Sequence, residues 1–516
     1  MMEFTLGKLL SITAAKYSNK TAIIFGDTRY TYAEVEERAN QLANNLIKRG
    51  LKKGDRCAVL FYNRAEWLEI YHGLAKAGII VVPVNFRFTA SEVQYVINNS
   101  KAKAIIYEAS FSELVEEIKK DAPTLAYYVG LGVKDKAINY EEWLKSSSSD
   151  NPEVDVREND PLLIGYTSGT TGFPKGAVIT HRKMVTNLLV FAKEFGGINC
   201  TDKMLLIMPM FHGNSTWFLQ MIAINGGTSV VFPSIGFNPE ELLSIIQKEK
   251  ITLTSLVPTM LTMILNLPEN IKNKYDMSSL RMLLSSSAPI MLKTKEETLK
   301  FFSGADLYEF YGATEAGIVT LLRPGDQYRK ACSVGQVVVG QEIRLLDEDG
   351  NKVPEGEIGE LYVRGICVLL DEYWDNPEAT REAHREDWLS IGDMARMDEE
   401  GFIYLGDRKK DIIISGGENV YPSEVENVIS RHPKVYEVAV IGLFDELWGE
   451  RVHAVIGLKP GEVVEEQEII DYCRDKLAGY KIPKSVDFVE QLPKNPTGKI
   501  VRRTLKEQYS KKILNR

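Results

Sequence analysis

Short apolar runs alternate with amphipathic stretches along the first third of the chain. Residues 22–31 hold two strand-like runs around a Gly-Asp pair, a pattern that predicts a β-hairpin. Thr31 and Glu34 then have the spacing of a capping box, in which each residue satisfies a backbone amide at the start of a helix. The sequence therefore predicts a helix that begins after Thr31 and ends at Gly50.

Further apolar runs at 57–62, 79–84 and 104–107 are separated by helical stretches. Alternation of this kind predicts parallel sheets covered by helices. The segment 145–160 is polar and rich in Ser and Asp, which is typical of an exposed loop. A second α/β pattern follows and extends to about residue 330.

The pattern changes in the last third of the chain. Residues 333–405 read as short strands and turns, which predicts a small β-rich unit. Beyond about residue 410 the order of elements is α+β: a helix at 422–432, strands near 435–442 and 452–458, and a helix at 465–477. The fold class is therefore α/β, with a large N-terminal part built of two α/β sheet units and the β-rich unit, followed by a small α+β part.

Composition adds limits on the class of protein. With 516 residues, 44% of them hydrophobic and 26% charged, the chain is expected to form several packed cores. The net charge of -9 favours solubility and gives no reason to expect a nucleic-acid partner.

Cysteine usage and apolar run lengths bear on the compartment. The five cysteines are scattered, which argues against a disulfide framework and against CxxC metal or redox motifs. The N-terminus lacks the apolar core of a signal peptide, and no run approaches the roughly 18 apolar residues of a membrane span. We expect a cytoplasmic protein without a transmembrane segment; peripheral membrane contact and homo-oligomerisation stay open.

The segment 166–176, YTSGTTGFPKG, carries the densest chemistry in the chain. Its glycines let backbone amides turn toward one point, its hydroxyls add donors, and Lys175 adds positive charge, a combination that suits a phosphate chain. The Walker spacing GxxxxGK[ST] is absent, so an ordinary P-loop is excluded. The competing interpretation is a polar surface turn.

The motif, together with six others in a fixed order, resembles the adenylate-forming enzymes, which include acyl-CoA synthetases, luciferases and the adenylation domains of peptide synthetases. The six are MPMFHGNS (208–215), SSSAPI (285–290), YGATEAG (311–317), SIGDMAR (390–396), DRKKDIIISGGENVYPSEVE (407–426) and PKNPTGKIVRR (493–503). The resemblance spans nearly the whole chain, and the ordered set is far more specific than any one motif.

The resemblance implies ATP as a substrate and assigns most of its contacts. The phosphate chain would be held by the loop residues Thr167, Ser168, Gly169, Thr170, Thr171, Gly172 and Lys175. The adenine site would be formed by Ser287, Ala288, Pro289, Tyr311, Gly312 and Thr314. Here the chain departs from the commoner Gly-Gly-Ala-Pro form, because serines stand at 286 and 287.

The resemblance also implies catalytic and metal-binding residues. Glu315 and Thr170 match the Mg²⁺ site, and a hard cation prefers carboxylate and phosphate oxygens. Asp393 matches the residue that accepts from both ribose hydroxyls, and Arg408 matches a second ribose or phosphate contact, although Gly-Asp-Arg replaces the Gly-Arg of many relatives. Lys499 matches the adenylation lysine, whose cation would stabilise charge that builds up on the α-phosphate.

A second half-reaction is implied by the resemblance to the CoA-ligase branch. His212 would border the acyl pocket and the thiol tunnel, since no His/Cys/Asp cluster supports a metal role for it. Lys410 would be the hinge between an N-terminal domain, 1–409, and a mobile C-terminal domain, 410–516. The loop that lines the pantetheine channel of CoA would contain Ser415, Gly416, Gly417 and Glu418.

The implied activity is that of an acid–CoA ligase, which forms an acyl-adenylate and then an acyl-CoA. The alternatives are a ligase that loads a carrier protein and, outside enzymes, an inactive nucleotide-binding scaffold. Candidate acyl-pocket positions are mostly apolar and suit a hydrophobic fatty or aryl acid: Phe211, Trp217, Val257, Gly312 and Gly317.

Overall fold

The computed structural model describes residues 3–133, 137–167, 174–233, 236–408, 411–415, 418–445, 448–474, 476–495 and 500–514. The helices are α1 Leu6–Tyr17, α2 Tyr32–Lys48, α3 Glu66–Ala77, α4 Ala90–Ser100, α5 Ser112–Ile118, α6 Tyr140–Lys145, α7 His181–Glu194, α8 Gly213–Ile224, α9 Pro239–Glu249, α10 Pro258–Leu265, α11 Glu269–Lys272, α12 Leu292–Phe301, α13 Pro377–Ala383, α14 Pro422–Ile429, α15 Glu466–Arg474 and α16 Arg502–Leu514.

The strands of the first half are β1 Thr21–Phe25, β2 Thr28–Thr31, β3 Arg56–Leu60, β4 Ile80–Pro83, β5 Ala104–Glu108, β6 Tyr127–Leu131, β7 Ile138–Asn139, β8 Pro161–Thr167, β9 Lys175–Thr180, β10 Lys203–Leu206, β11 Thr228–Val231 and β12 Leu253–Ser255. Those of the second half are β13 Met282–Ser285, β14 Asp306–Ala313, β15 Gly317–Leu322, β16 Gly335–Val337, β17 Gln341–Leu346, β18 Gly359–Gly365, β19 His384–Arg385, β20 Trp388–Met397, β21 Phe402–Arg408, β22 Ile413–Ser415, β23 Glu418–Val420, β24 Val435–Asp445, β25 Gly449–Leu458 and β26 Ser485–Val489.

The predicted local signals at the start of the chain are confirmed. Strands β1 and β2 pair antiparallel as a hairpin. Helix α2 begins with a complete capping box, in which Thr31 and Glu34 satisfy each other's backbone amides, and it ends just before Gly50, whose φ is 88°. These signals act within a few residues, which is why the sequence alone predicts them.

The first sheet has the strand order β7-β6-β5-β3-β4-β8-β9. Its strands are parallel except for the antiparallel pair β8–β9. Strands are present on both sides of the glycine-rich motif, as predicted: β8 ends at Thr167 and β9 begins at Lys175.

The second sheet combines a parallel part and an antiparallel part. Its order is β17-β18-β20-β21-β16-β15-β14-β13-β12-β10-β11-β1-β2. The β-rich unit predicted for 333–405 is present, and its strands continue this sheet through the pairs β15–β16 and β16–β21. Strands β14, β20 and β21 therefore belong to the same sheet.

The third sheet, β23-β22-β25-β24 with β26 beside β25, belongs to the C-terminal part. Alternate residues of β24 pack on opposite faces, as the two-residue period of a strand requires. Val438 and Val440 belong to the core that contains α14 and α15 residues, whereas Ala439 and Ile441 share a second core with Leu505 of α16. This part thus has cores of its own.

Candidate active site

The ends of the glycine-rich loop lie side by side. Thr167, the last residue of β8, is paired with Lys175, the first residue of β9. The predicted phosphate-loop positions Ser168, Gly169, Thr170, Thr171 and Gly172 lie outside the described residues. The two described flanks place a hydroxyl and an ammonium group at the mouth of the loop.

Glu315 lies in the turn between β14 and β15 and is buried. Its Oε1 atom accepts hydrogen bonds from the Thr167 hydroxyl at 2.8 Å and from the Tyr373 hydroxyl at 3.0 Å. Both hydroxyl groups reach the same oxygen, so the orientation of the carboxylate is fixed through Oε1.

Tyr373 was not predicted as a site residue. The segment 371–374 runs antiparallel along β9, with hydrogen bonds from Trp374 N to Gly176 O and from Val178 N to Glu372 O, and this pairing brings the phenol to Glu315. Burial and the neighbouring carboxylate raise the pKa of Tyr373, so the phenol stays a donor. The Lys175 ammonium lies 5.5 Å from the centre of its ring.

The hairpin that presents Thr314 and Glu315 depends on two glycines. A Cβ atom on Gly312 would lie 2.2 Å from the carbonyl oxygen of Gly317. Gly317 has a φ of 65°, and a Cβ atom there would lie 2.1 Å from the carbonyl oxygen of Cys367. Both positions therefore require glycine for backbone reasons.

Tyr311 and Asp393 come together across the second sheet. The Tyr311 hydroxyl donates to Oδ2 of Asp393 at 2.6 Å. Asp393 of β20 is paired in register with Arg408 of β21, whose backbone is described and whose side chain is not. These two predicted positions are therefore adjacent on neighbouring strands.

The loop from Ser286 to Met291 connects β13 to α12. Ser287 has a φ of 72°, a left-handed conformation in which glycine is far less strained than serine. Ser287 and Ala288 are partly exposed and Pro289 is exposed, so this part of the loop reaches the surface. Ser287 thus adopts a conformation that glycine favours.

A narrow cavity of about 50 Å³ lies beside Thr314. Of the predicted acyl-pocket positions, Phe211 and Trp217 line it, whereas Val257, Gly312 and Gly317 do not. Gly312 and Gly317 are instead packed against backbone. The remaining lining residues are Tyr71, Pro83, Asn85, Phe88, Leu163, Gly165, Tyr166, Ile179, His212, Gly213 and Thr216.

His212 lines the cavity and also caps α8. Its Nδ1 atom accepts from the backbone amide of Asn214 at 3.2 Å. Burial lowers the pKa of His212 to about 4, so the ring is neutral at pH 7. A neutral imidazole with Nδ1 accepting has its proton on Nε2, which leaves one donor available.

The predicted pantetheine-channel residues are described only in part. Ser415 and Glu418 face each other in the pair β22–β23; Ser415 is buried and Glu418 is exposed. Lys410, Gly416, Gly417 and Lys499 lie outside the described residues.

The described ranges hold neither a metal-binding cluster of side chains nor a membrane-spanning helix. No group of three or more His, Cys, Asp or Glu side chains is arranged there to hold a metal ion. No helix in the same part of the chain is long and apolar enough to cross a membrane. All five cysteines are free thiols.

Comparison with known proteins places these features in a family. The long-chain-fatty-acid–CoA ligase FadD13 of Mycobacterium tuberculosis is 38% identical over 94% of this chain and 94% of its own. Feruloyl-CoA synthase of Amycolatopsis sp. is 35% identical over 95% of this chain and 96% of its own. The crystal structure of the anthranilate CoA ligase AuaEII with anthranoyl-AMP superposes with a TM-score of 0.92, at 30% identity and 98% coverage of each chain.

The family models match in two blocks. Residues 10–374 match the model described as AMP-binding enzyme, and residues 424–499 match that of the AMP-binding enzyme C-terminal domain. The chain therefore belongs to the AMP-binding enzyme family.

Proposed function

We propose that this protein is an acid–CoA ligase. In the first step a carboxylate oxygen attacks the α-phosphorus of ATP and pyrophosphate leaves. In the second step the CoA sulfur attacks the acyl carbon and AMP leaves. One observation carries the proposal: two predicted nucleotide contacts meet on the β14–β15 hairpin. Glu315 of this hairpin is hydrogen-bonded to Thr167, and Tyr311 is hydrogen-bonded to Asp393. Thr314 of the same hairpin lines the cavity.

The nucleotide would lie along this convergence. Asp393, with Arg408 opposite it, would bind the ribose, because one carboxylate can accept from two vicinal hydroxyls. The adenine would lie against Ser287, Ala288, Pro289, Tyr311 and Gly312. The phosphates would reach Lys175 and the loop positions Ser168, Gly169, Thr170, Thr171 and Gly172.

The residues present fit a Mg²⁺ ion. Oε1 of Glu315 is held by two hydroxyl groups, which orients the carboxylate. A single protein carboxylate plus phosphate oxygens is the usual ligand set for this metal, and Thr170 would add a hydroxyl. The ion would neutralise negative charge on the phosphates. Glu315 would hold the ion, and Thr167 and Tyr373 would hold the Glu315 carboxylate in position.

The second step, the attack of CoA on the acyl-adenylate, would involve the cavity and the C-terminal part of the chain. His212 lines the cavity, and because burial lowers its pKa to about 4 it is neutral at pH 7. A neutral imidazole can donate one hydrogen bond, so the role of His212 would be to position the acyl carboxyl group. We propose 1–409 and 410–516 as the two domains, with Lys410 as the hinge and 415–418 as the pantetheine-channel loop. The separate cores of the C-terminal part support this division.

A hydrophobic acid, fatty or aryl, is the proposed substrate class. Phe88, Phe211 and Trp217 supply apolar walls to the cavity. We propose a cytoplasmic enzyme that acts on a small-molecule acid and on CoA.

The test is a panel of fatty and aryl acids assayed for pyrophosphate release, with and without CoA. We expect a hydrophobic acid to give acid-dependent pyrophosphate release, and CoA to convert a single turnover into continuous release. Release that no acid stimulates would contradict adenylation. Continuous turnover with a carrier-protein thiol and none with CoA would contradict the acceptor.

A further inference from the structure

Asn214 connects the helix that lines the cavity to the loop proposed to bind adenine. It lies in the first turn of α8, which also carries the cavity residues Thr216 and Trp217. Its Nδ2 atom donates to the Ser286 hydroxyl at 2.8 Å, and its Oδ1 atom accepts from the Ser255 hydroxyl at 3.2 Å. The side chain thus spans the ends of β12 and β13.

All three side chains of this network are buried. Asn214 is 6% exposed, Ser255 4% and Ser286 8%. A buried amide that loses its partner suffers the full desolvation penalty, so each of these hydrogen bonds matters more than one at the surface. The backbone amide of Asn214 is also engaged, because it donates to His212.

Ser286 is the residue immediately before the strained Ser287. A left-handed serine persists only where its surroundings hold it. The helix that follows the loop is held as well: the buried Lys295 ammonium of α12 lies 2.5 Å from Oε1 of Glu309 on β14 and donates to the Ala331 carbonyl. Buried polar groups therefore fix the loop directly at Ser286 and indirectly through α12.

We infer that Asn214 and Ser286 form a positioning pair that holds the adenine loop from the side of the acyl cavity. The inference rests on the proposed function, since it takes the loop as the adenine site. Neither side chain needs to touch the nucleotide; the Asn214–Ser286 hydrogen bond sets the position of the backbone at Ser287. Removing it lets the loop relax from its strained conformation before the nucleotide binds.

The test is a double-mutant cycle read by calorimetric titration of the full chain with AMP. We expect Ser286→Ala and Asn214→Ala each to weaken AMP binding about 5- to 10-fold, as the loss of one buried hydrogen bond does. The double variant should be no weaker than the weaker single variant, because both changes remove the same bond. Ser229→Ala is the matched control: Ser229 is buried in the same sheet, and its hydroxyl has no hydrogen bond among the described residues.

The outcomes separate this inference from the proposed function. If the AMP affinity of Ser286→Ala is within twofold of that of Ser229→Ala, the positioning pair is overturned. It is also overturned if the loss of AMP affinity in the double variant equals the product of the losses in the two single variants. Absence of AMP binding by the wild type contradicts the proposed function instead. If circular dichroism shows that Asn214→Ala is unfolded, the comparison of Ser286→Ala with Ser229→Ala decides alone.

Discussion

The Tyr311 hydroxyl donates a 2.6 Å hydrogen bond to Oδ2 of Asp393, which joins β14 to β20 across the second sheet. Residues 82 positions apart in the chain are therefore neighbours in the fold. The hydrogen bond orients the carboxylate that we propose as the ribose ligand, and an oriented ligand group lowers the entropic cost of binding.

Asp393→Ala should weaken AMP binding by about 10- to 100-fold, because hydrogen bonds to a charged group contribute about 1.5–3 kcal/mol. Tyr311→Phe keeps the carboxylate and should weaken AMP binding less. Calorimetric titration of both variants measures this. Equal AMP affinity in Asp393→Ala and the wild type would exclude Asp393 from the nucleotide site.

Glu315→Gln should raise the Mg²⁺ concentration needed for half-maximal adenylation at least about tenfold, since it removes the charge on the proposed ligand. The amide oxygen can still accept from Thr167 and Tyr373, so the hairpin should keep its position. Pyrophosphate release at a series of Mg²⁺ concentrations measures the effect. Tyr373→Phe, which keeps the charge, is the control; an identical Mg²⁺ dependence in Glu315→Gln and the wild type would contradict the assignment.

Ser287→Gly should stabilise the protein by roughly 0.5–1 kcal/mol. A left-handed φ costs an L-residue about 1–2 kcal/mol, and the greater freedom of glycine in the unfolded chain offsets part of that gain. Ser286→Gly is the control, since it loses the hydrogen bond from Asn214 and should destabilise. Melting temperatures decide the matter; a lower value for Ser287→Gly would show that its side chain contributes more than its backbone strain costs.

Acid should destabilise the protein through its buried histidines. Burial lowers the pKa of His181 to about 4 from the ordinary 6.5, so below pH 6.5 the unfolded chain binds a proton that the folded protein does not. Stability is then lost as the pH falls from 6.5 toward 4, by up to about 1.4 kcal/mol per pH unit for this group. His72 and His212, with pKa values lowered to about 3 and about 4, act in the same direction.

His181→Asn should reduce this acid sensitivity. Asparagine does not titrate, and its Oδ1 can replace Nδ1 of His181 as the acceptor for the Leu6 amide. We expect the loss in unfolding free energy between pH 6.5 and 5.5 to shrink by about 1 kcal/mol, because the unfolded histidine is already half protonated at pH 6.5. Urea titrations at the two pH values measure it; parallel losses in variant and wild type would show that His181 does not drive the effect.

Local signals account for what the sequence predicted correctly. The capping box of α2, the first hairpin and the loop between β8 and β9 each depend on a few adjacent residues. The contacts that were missed join distant segments: Tyr373 reaches Glu315 only because 371–374 pairs with β9. Side-chain pairs of this kind have no signature in a single sequence.

The residues that line the cavity could not be predicted from the sequence either. Gly312 and Gly317 stay predicted acyl-pocket positions, but the structure gives each a backbone reason to be glycine: Gly312 lies against Gly317, and Gly317 lies against the Cys367 carbonyl. Tyr71 and Asn85 line the cavity from helix α3 and from the segment after β4, far from any motif that the sequence displays. Which apolar residues surround a cavity depends on how the two sheets pack, and periodicity does not encode that packing.

The half-reactions of Lys499→Ala, measured separately, test the central claim most directly. Pyrophosphate release from ATP and a hydrophobic acid reports adenylation, and acyl-CoA formation from supplied acyl-adenylate reports the second step. If one site performs both reactions with Lys499 acting only in the first, adenylation should fall by about 10²–10³, the effect of removing one preorganised cation from the transition state. Thioester formation from supplied acyl-adenylate should stay near the wild-type rate. Equal losses in both steps, or no loss in adenylation, would contradict the account.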